Sequence, residues 1–249
     1  MLGLASSLAS ASIHEQRYSV SLDGTNDYIS TPIGWQPSVS SGYENVGSFS
    51  VWVKKIAAES DAYIFGTSTG TSSNNEITLF YDVSEETLQF LYRGDSTSNA
   101  EVTYAISDEA FSAAGWVHIV VSWDDTSGGT CKLWFNGTEI DESSTRLTPF
   151  ATLPDRFHIG KRSSATSGYW KGNISEAALF SRVLSGAEIA TIYSNKNPFD
   201  LSITHSLKLE AYWKMDEGTA TTAKDTIGTH SCDGTLQNGA LWSVDTPDD

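Results

Sequence analysis

One stretch constrains the fold of this chain more than any other: Trp116 to Gly137, WVHIVVSWDDTSGGTCKLWFNG. Its first half alternates, with Val117, Ile119, Val121 and Trp123 on one side and Trp116, His118, Val120 and Ser122 on the other. A polar loop follows. The second half alternates again, Cys131, Leu133 and Phe135 against Lys132 and Trp134. A period of two over such lengths is the mark of β-strands. Asn136-Gly137 then makes a tight turn, because both residues accept the positive φ of a type I′ hairpin. Two neighbouring strands with one unbroken apolar face need a second layer to cover it.

The rest of the chain reads as that layer. Tyr18-Val20-Leu22 and Tyr28-Ile29 flank the turn Asp23-Gly24-Thr25-Asn26, and Phe49, Val51 and Val53 form one face of the next strand. Short runs follow at Ala62–Phe65, Glu76–Tyr81, Thr87–Arg93 and Glu101–Ile106, then Arg156–Gly160 and Gly168–Phe180, separated by Gly, Ser, Asn and Thr. This spacing predicts an all-β, two-sheet antiparallel sandwich of the jelly-roll kind. One short helix is expected at 185–195. Ser185 and Glu188 form a capping box, Leu184 and Ile189 a hydrophobic staple, and Ile189, Ile192 and Tyr193 an apolar face. Asp200–Lys208 reads as a polar crossing, and the last strands, Glu210–Met215 and Ala240–Val244, bracket a loop over 216–238. The expected organisation is an extended N-terminal arm, 1–16, and one domain, 17–249.

Composition narrows the partners. The formal charge is −16, from 31 acidic and 15 basic residues. Nucleic acid and anionic membranes both require a basic footprint, so neither is expected as a partner. No apolar run approaches the roughly 20 residues that span a bilayer. The arm, MLGLASSLASASIHEQ, lacks the positive n-region and long apolar core of a secretory signal. Free termini fray unless tied down, so the arm is expected to pack on a partner or on the domain. Cys131 alternates with Leu133 and Phe135 and reads as a buried thiol; a bridge to Cys232 stays open.

Several segments together resemble the concanavalin A-like lectin/glucanase superfamily in its laminin-G-like, pentraxin-like form. They are YSVSLDGTNDYI (18–29), SFSVWVK (48–54), GWVHIVVSWDD (115–125), CKLWFNGTEI (131–140), HIG (158–160) and YWKGNISEAALFSRVLSGAEIATIY (169–193). In that family a segment like 211–242 usually precedes the LDG strand, whereas here it comes last. Either the domain is circularly permuted, or the chain ends in a truncated second copy. Permutation is the expectation, since a half-domain would leave Tyr212, Trp213, Leu236 and Trp242 without a core. The permuted order and the ending ALWSVDTP look similar to structural proteins of marine tailed phages. That resemblance implies a virion structural or decoration protein, in contact with other virion proteins or with itself as a homo-oligomer.

Chemistry is sparse. Glu139-Ile140-Asp141-Glu142 is tempting, because glucanases on this fold carry E-x-D-x-E with carboxylates on one strand face, about 5–5.5 Å apart. Here the i+4 position is Ser143, and strict alternation puts Glu142 opposite Glu139 and Asp141. His118 lies among apolar neighbours without a nucleophile motif, and His14, His158, His205 and His230 are scattered. An enzyme is not expected. The resemblance implies a calcium ion held by loop carboxylates, for which Asp23, Asp27, Glu176 and Asp225 are the candidates; Ser175 stands where the family often has Asp. Calcium wants six to eight oxygens, solvated turn acids are the simpler reading, and no cofactor is required. For glycans, Trp52 and Trp134 project from faces otherwise made of Ser and Lys, so they are the candidate stacking platforms, with structural cover as the alternative. Asn136-Gly-Thr and Asn173-Ile-Ser match glycosylation sequons by pattern alone. The competing expectation to a virion protein is a free, extracellular, calcium-dependent lectin.

Overall fold

The structure, a computed structural model, describes residues 15–32, 45–57, 59–70, 74–94, 99–126, 129–143, 145–150, 152–193, 200–228 and 231–247. In chain order the strands are β1 (Ser19–Asp23), β2 (Tyr28–Thr31), β3 (Val46–Lys55), β4 (Ala62–Ser68), β5 (Glu76–Asp82), β6 (Thr87–Arg93) and β7 (Asn99–Ala105). After helix α1 (Asp108–Ala113) come β8 (Trp116–Asp124), β9 (Cys131–Phe135), β10 (Thr138–Glu142), β11 (Arg156–Ile159) and β12 (Lys171–Phe180). Helices α2 (Gly186–Tyr193) and α3 (Leu201–Thr204) precede β13 (Leu209–Trp213), β14 (Thr222–Ala223), β15 (Gly234–Gln237) and β16 (Leu241–Ser243). One sheet runs β10-β9-β8-β3-β12-β1-β16, with β13 also on β12; the other runs β14-β15-β2-β11-β4-β5-β6-β7. Every strand pairing is antiparallel. The molecule is the all-β sandwich that its alternation predicts.

The period-two pattern explains the core. Val117, Ile119, Val121 and Trp123 of β8 and Leu133 of β9 face inward, beside Phe49, Val51 and Val53 of β3. The opposite sheet answers with Ile77, Leu79, Leu88, Phe90, Phe157 and Ile159. Rings meet across the gap, Phe49 against Phe65 at 4.3 Å and Phe90 against Trp123 at 5.9 Å. The turn after β9 has φ values of 50° at Asn136 and 75° at Gly137, the two positive angles that Asn-Gly supplies cheaply. Asn136 also accepts from the backbone N–H of His118 through Oδ1 at 2.9 Å, which ties the turn to β8.

The C-terminal strands close this sandwich beside the first two. β16 lies on β1 with Val20 opposite Trp242, and β15 lies on β2 with Ile29 opposite Leu236. Tyr212, Trp213 and Leu236 are buried. The segment is thus part of the same two sheets, as the permuted order expects, and not the start of a second pair. Four elements depart from the sequence expectations. β14 and β15 lie inside what reads as a loop over 216–238. α3 occupies part of the expected polar crossing, with Asp200 accepting from the Ser202 backbone at its N-terminus. α1 is a further helix, capped by Ser107, whose Phe111 plugs the core.

α2 forms as its cap predicts. The Ser185 backbone N–H donates to Glu188 Oε2 at 2.8 Å, and the Glu188 N–H donates back to Ser185 Oγ at 3.3 Å. Leu184, Ile189 and Ile192 then cover the outer face of the first sheet, in one buried cluster with Val120, Trp134, Phe180 and Tyr212. Cys131 and Cys232 are both buried and both free thiols, so the open question of a bridge is answered in the negative. Of the expected arm, 1–16, residues 1–14 lie outside the described residues. Gln16 is buried, and its Nε2 donates to the carbonyls of Tyr18 and Lys214, both at 2.7 Å.

Candidate functional site

The residues singled out from sequence do not assemble into one site. Trp52 is 1% exposed and Trp134 4% exposed. The Trp52 indole lies 5.1 Å from the His118 ring and stacks on Tyr193 of α2 at 5.9 Å. A sugar platform needs an open ring face, and both indoles have theirs covered by the α2 layer. They are packing residues, and the expectation that they bind glycans is corrected. His118 is the structural histidine it appeared to be. It shares a 2.8 Å hydrogen bond with Ser50 Oγ, and complete burial pushes its pKa down to about 3.

The four carboxylates named for calcium fall in three places. Asp23 and Asp27 meet at the turn between β1 and β2, where Asp27 Oδ2 accepts from the Asp23 backbone N–H at 3.2 Å. Asp23 Oδ1 accepts from Thr25 N–H at 2.7 Å, which holds its carboxyl below the usual range, while burial and the neighbouring Asp23 raise Asp27. Glu176 sits on a bulge of β12 with φ 52°, under the Tyr212 hydroxyl, and burial raises its carboxyl well above the ordinary value. Since Asp23 is opposite Lys171, Glu176 lies five residues further along β12, about 17 Å away. Asp225 accepts from the N–H groups of Tyr212 and Ile227, both at 3.1 Å, and serves as a loop organiser. Among the described residues no three His, Cys, Asp or Glu side chains gather as metal ligands. These residues do not fit one calcium shell of six to eight oxygens, and the expectation of a four-carboxylate site is corrected.

The carboxylates of β10 need a correction as well. A register shift between Glu139 and Asp141 breaks the strict alternation. Glu139 and Glu142 therefore share one side, each 3.1 Å from Lys132 Nζ. Both are exposed on an edge strand and clamp a lysine.

What the structure does bring together is a group that spans β2, β11 and the segment after it. On both strands the inward positions are Ile29, Thr31, Phe157 and Ile159, which leaves Tyr28, Arg156 and His158 on the outer face. The chain then turns at Gly160, where φ is 81° and a Cβ would lie 2.3 Å from Leu22 Cδ1. It loops over 161–169 and is closed by Arg162 N–H to Gly168 O at 3.1 Å and Trp170 N–H to Gly160 O at 2.9 Å. Lys161 Nζ sits 4.4 Å from the Tyr28 ring centre and 5.4 Å from that of Tyr169. His158 packs edge-on against Tyr28 at 5.1 Å.

Beside this group is an open depression of about 360 Å³, lined by Arg156, Lys161 and residues 163–167, SSATS. A second, of about 240 Å³, is lined by Tyr169 together with Asp23, Glu59 and Lys171. Burial lowers the pKa of Lys161, helped by Arg156, and burial with both cations lowers that of His158 to about 4. His158 is therefore neutral at pH 7, and the depression carries the positive charge of Arg156 and Lys161. Sequence reading misses this group because Tyr28 and Lys161 are far apart in the chain. The readable signal is KRSSATSGYWK (161–171), two cations and a hydroxyl run followed by two aromatics.

A laminin-G family profile, described as the concanavalin A-like lectin/glucanases superfamily, matches residues 23–190, over half of the chain. The chain belongs to this superfamily. Solved structures of similar fold support the concanavalin A-like architecture. A Bacteroides ovatus protein whose carbohydrate binding is itself inferred aligns with a TM-score of 0.63 at 16% identity, over 92% of this chain and 60% of its own. The present chain thus spans 60% of that protein's length. The heptameric SAP-like pentraxin of Limulus polyphemus gives 0.56 at 13% identity, over 92% and 95%. The CBM40 of the Ruminococcus gnavus IT-sialidase, bound to alpha2,3 sialyllactose, gives 0.52 at 13% identity, over 72% and 98%. No curated protein sequence matches the chain.

Proposed function

We propose that this chain is a non-catalytic, lectin-like glycan-binding domain, carried on a particle as a virion structural or decoration protein, with the depression beside Lys161 as its binding surface. The observation that carries the binding role is an open depression lined by two cations and a hydroxyl run, one of those cations, Lys161, resting on the rings of Tyr28 and Tyr169, on a superfamily fold. Carbohydrate sites are built from such groups, with rings giving apolar contact and a few polar groups fixing orientation. Glycoside hydrolysis usually needs two carboxylates about 5–9.5 Å apart across the scissile bond, whereas this depression is lined by two cations and hydroxyls.

The particle role rests on the chain order, which places the closing strands last as in the phage proteins that the sequence resembles. In this reading neighbouring virion subunits or second copies hold the domain through residues 1–14, and the sandwich faces outward. Titration with oligosaccharides by calorimetry tests the binding role, and co-purification with particles tests the location. Removing residues 1–14 while keeping the buried Gln16 should leave a folded domain that no longer joins particles; unchanged incorporation would overturn the arm assignment.

The meeting of Asp23 and Asp27 favours one competing reading, a free, extracellular, calcium-dependent lectin. Binding that disappears with chelator and in Asp27→Asn would select it. Binding that is indifferent to both selects the cation-lined depression.

A further inference from the structure

We infer that the ligand class of this surface is an anionic glycan, one whose terminal sugar carries a carboxylate or a sulfate that Lys161 and Arg156 bind together. The inference rests on the glycan-binding reading above and narrows it.

The first argument is the use of cations elsewhere in an acidic molecule. The chain carries 31 acidic against 15 basic residues, and most of its described cations pair with a carboxylate, Lys161 being among the few that do not. Lys214 is 2.7 Å from Asp200, Lys224 is 2.8 Å from Asp233, Arg182 is 2.7 Å from Glu188, and Arg93 and Arg162 share Glu76. Among the described residues Lys161 has no carboxylate within ion-pair distance. Its ammonium is held over two tyrosine rings, which orient it without neutralising it. Among the described residues Arg156 pairs only with the exposed Asp155 at 3.8 Å, a loose contact of little worth in water.

The second argument is where these charges point. Both line the same depression, together with a hydroxyl run that includes Ser164, Thr166 and Ser167. A volume near 360 Å³ is at the low end of the roughly 300–1,000 Å³ of small-molecule sites, so it suits a terminal sugar better than a long chain. Two like charges at the wall of one depression repel each other, and an anion between them removes that repulsion. Neutral sugars can accept hydrogen bonds from these groups but do not remove that repulsion. Burial is the main cause of the lowered pKa of Lys161, and the nearby Arg156 charge adds to it.

The test uses the full chain and three probes of similar size: oligogalacturonate, a sulfated galactan oligomer and the same galactan oligomer desulfated. The anionic probes should bind and weaken as salt rises, and the desulfated one should bind at least about tenfold more weakly, given the strength of charge-assisted hydrogen bonds. Lys161→Gln and Arg156→Gln should each weaken the anionic probes by about tenfold. Lys224→Gln, which removes an equal charge elsewhere on the surface, should not. Preference for oligogalacturonate identifies a carboxylate as the recognised group, and preference for the sulfated galactan identifies a sulfate. Binding of the desulfated oligomer as tight as that of the anionic pair would overturn the inference while leaving a glycan-binding domain. Anionic binding unaffected by Lys161→Gln and Arg156→Gln would overturn the placement. Absence of binding to all three probes would remove the broader reading with it.

Discussion

Single buried charges bear directly on the stability of the fold. Lys55 is fully buried at the end of β3, where its ammonium pairs with Asp108 of α1 and lies 4.6 Å from the Tyr81 ring centre. Breaking a buried pair from one side leaves an uncompensated charge, whereas replacing both partners with apolar or neutral groups of similar size often does no harm. Asp108→Asn should therefore destabilise by about 3–5 kcal/mol, and the double variant Lys55→Met with Asp108→Asn should change stability little or raise it. Urea denaturation distinguishes them; equal losses in both variants would mean that the pair itself is stabilising. His118 gives a prediction in pH. Its folded pKa is about 3, and the unfolded value is about 6.5. Above pH 6.5 both states are neutral there and nothing is lost. Below it the unfolded chain takes up a proton that the folded one refuses, so stability falls until pH 3, at up to about 1.4 kcal/mol per unit. His118→Gln can keep the contact to Ser50 without this proton. Its urea midpoint should depend on pH less steeply than the parent's between pH 6 and 4, while His158 contributes equally to both and cancels. Parallel curves would show that His118 is protonated within the fold.

At the scale of elements, α2 decides what the first sheet presents. Its cap is local and could be read directly: Ser185 and Glu188 are three residues apart, and Arg182 adds a bidentate grip that holds the Glu188 pKa down to about 2. The consequence of that helix is not local. Trp52 and Trp134 sit among serines and lysines on their strands, and nothing on those strands says that α2 will cover them. Ile189→Ala should cost about 2–5 kcal/mol, and it should shift tryptophan emission to the red as water reaches the two indoles. An unshifted spectrum in a destabilised variant would mean that the indoles are sealed by something other than this helix. Ser185→Ala should cost about 1 kcal/mol through the cap alone. The same division explains what was legible. Strands with strong alternation, β3, β5, β6, β8, β9 and β12, follow from period two. β15 hides because Gly-Thr-Leu-Gln offers one core residue, Leu236, and the β10 register shift hides because an inserted residue leaves no compositional mark. The candidate site was barely legible: its cations and rings become neighbours only when β2 pairs with β11.

At the scale of the molecule, the fold depends on its last strands as much as its first. β13 pairs with β12, β15 with β2 and β16 with β1, so residues 206–247 supply partners in both sheets. A chain ending at Ser206 would expose the inner faces of β1 and β2 and unpaired strand edges, and it should aggregate rather than fold. The arrangement also places the two ends together. Ser19 lies opposite Ser243, Ser19 Oγ donates to the Asp245 carbonyl at 2.6 Å, and the Arg17 N–H donates to Asp216 at 2.7 Å. β16 runs antiparallel to β1, so the chain leaving Asp245 and the chain entering at Arg17 share one edge of the sandwich. If chain order alone separates this domain from relatives in which the closing segment comes first, order can be changed without changing the fold. Joining Asp249 to Met1 and opening the chain between Tyr193 and Asp200 gives a variant of identical composition in which that segment leads. The new connection need only close a loop, and doubling the length of a loop costs only about 0.6 kcal/mol. The rearranged protein should therefore be monodisperse in solution, with the parent's circular dichroism and anionic-glycan affinity and a melting temperature within a few degrees. A rearranged chain that fails to fold, with the parent stable under the same conditions, would show that the order of the strands is itself needed to reach the sandwich.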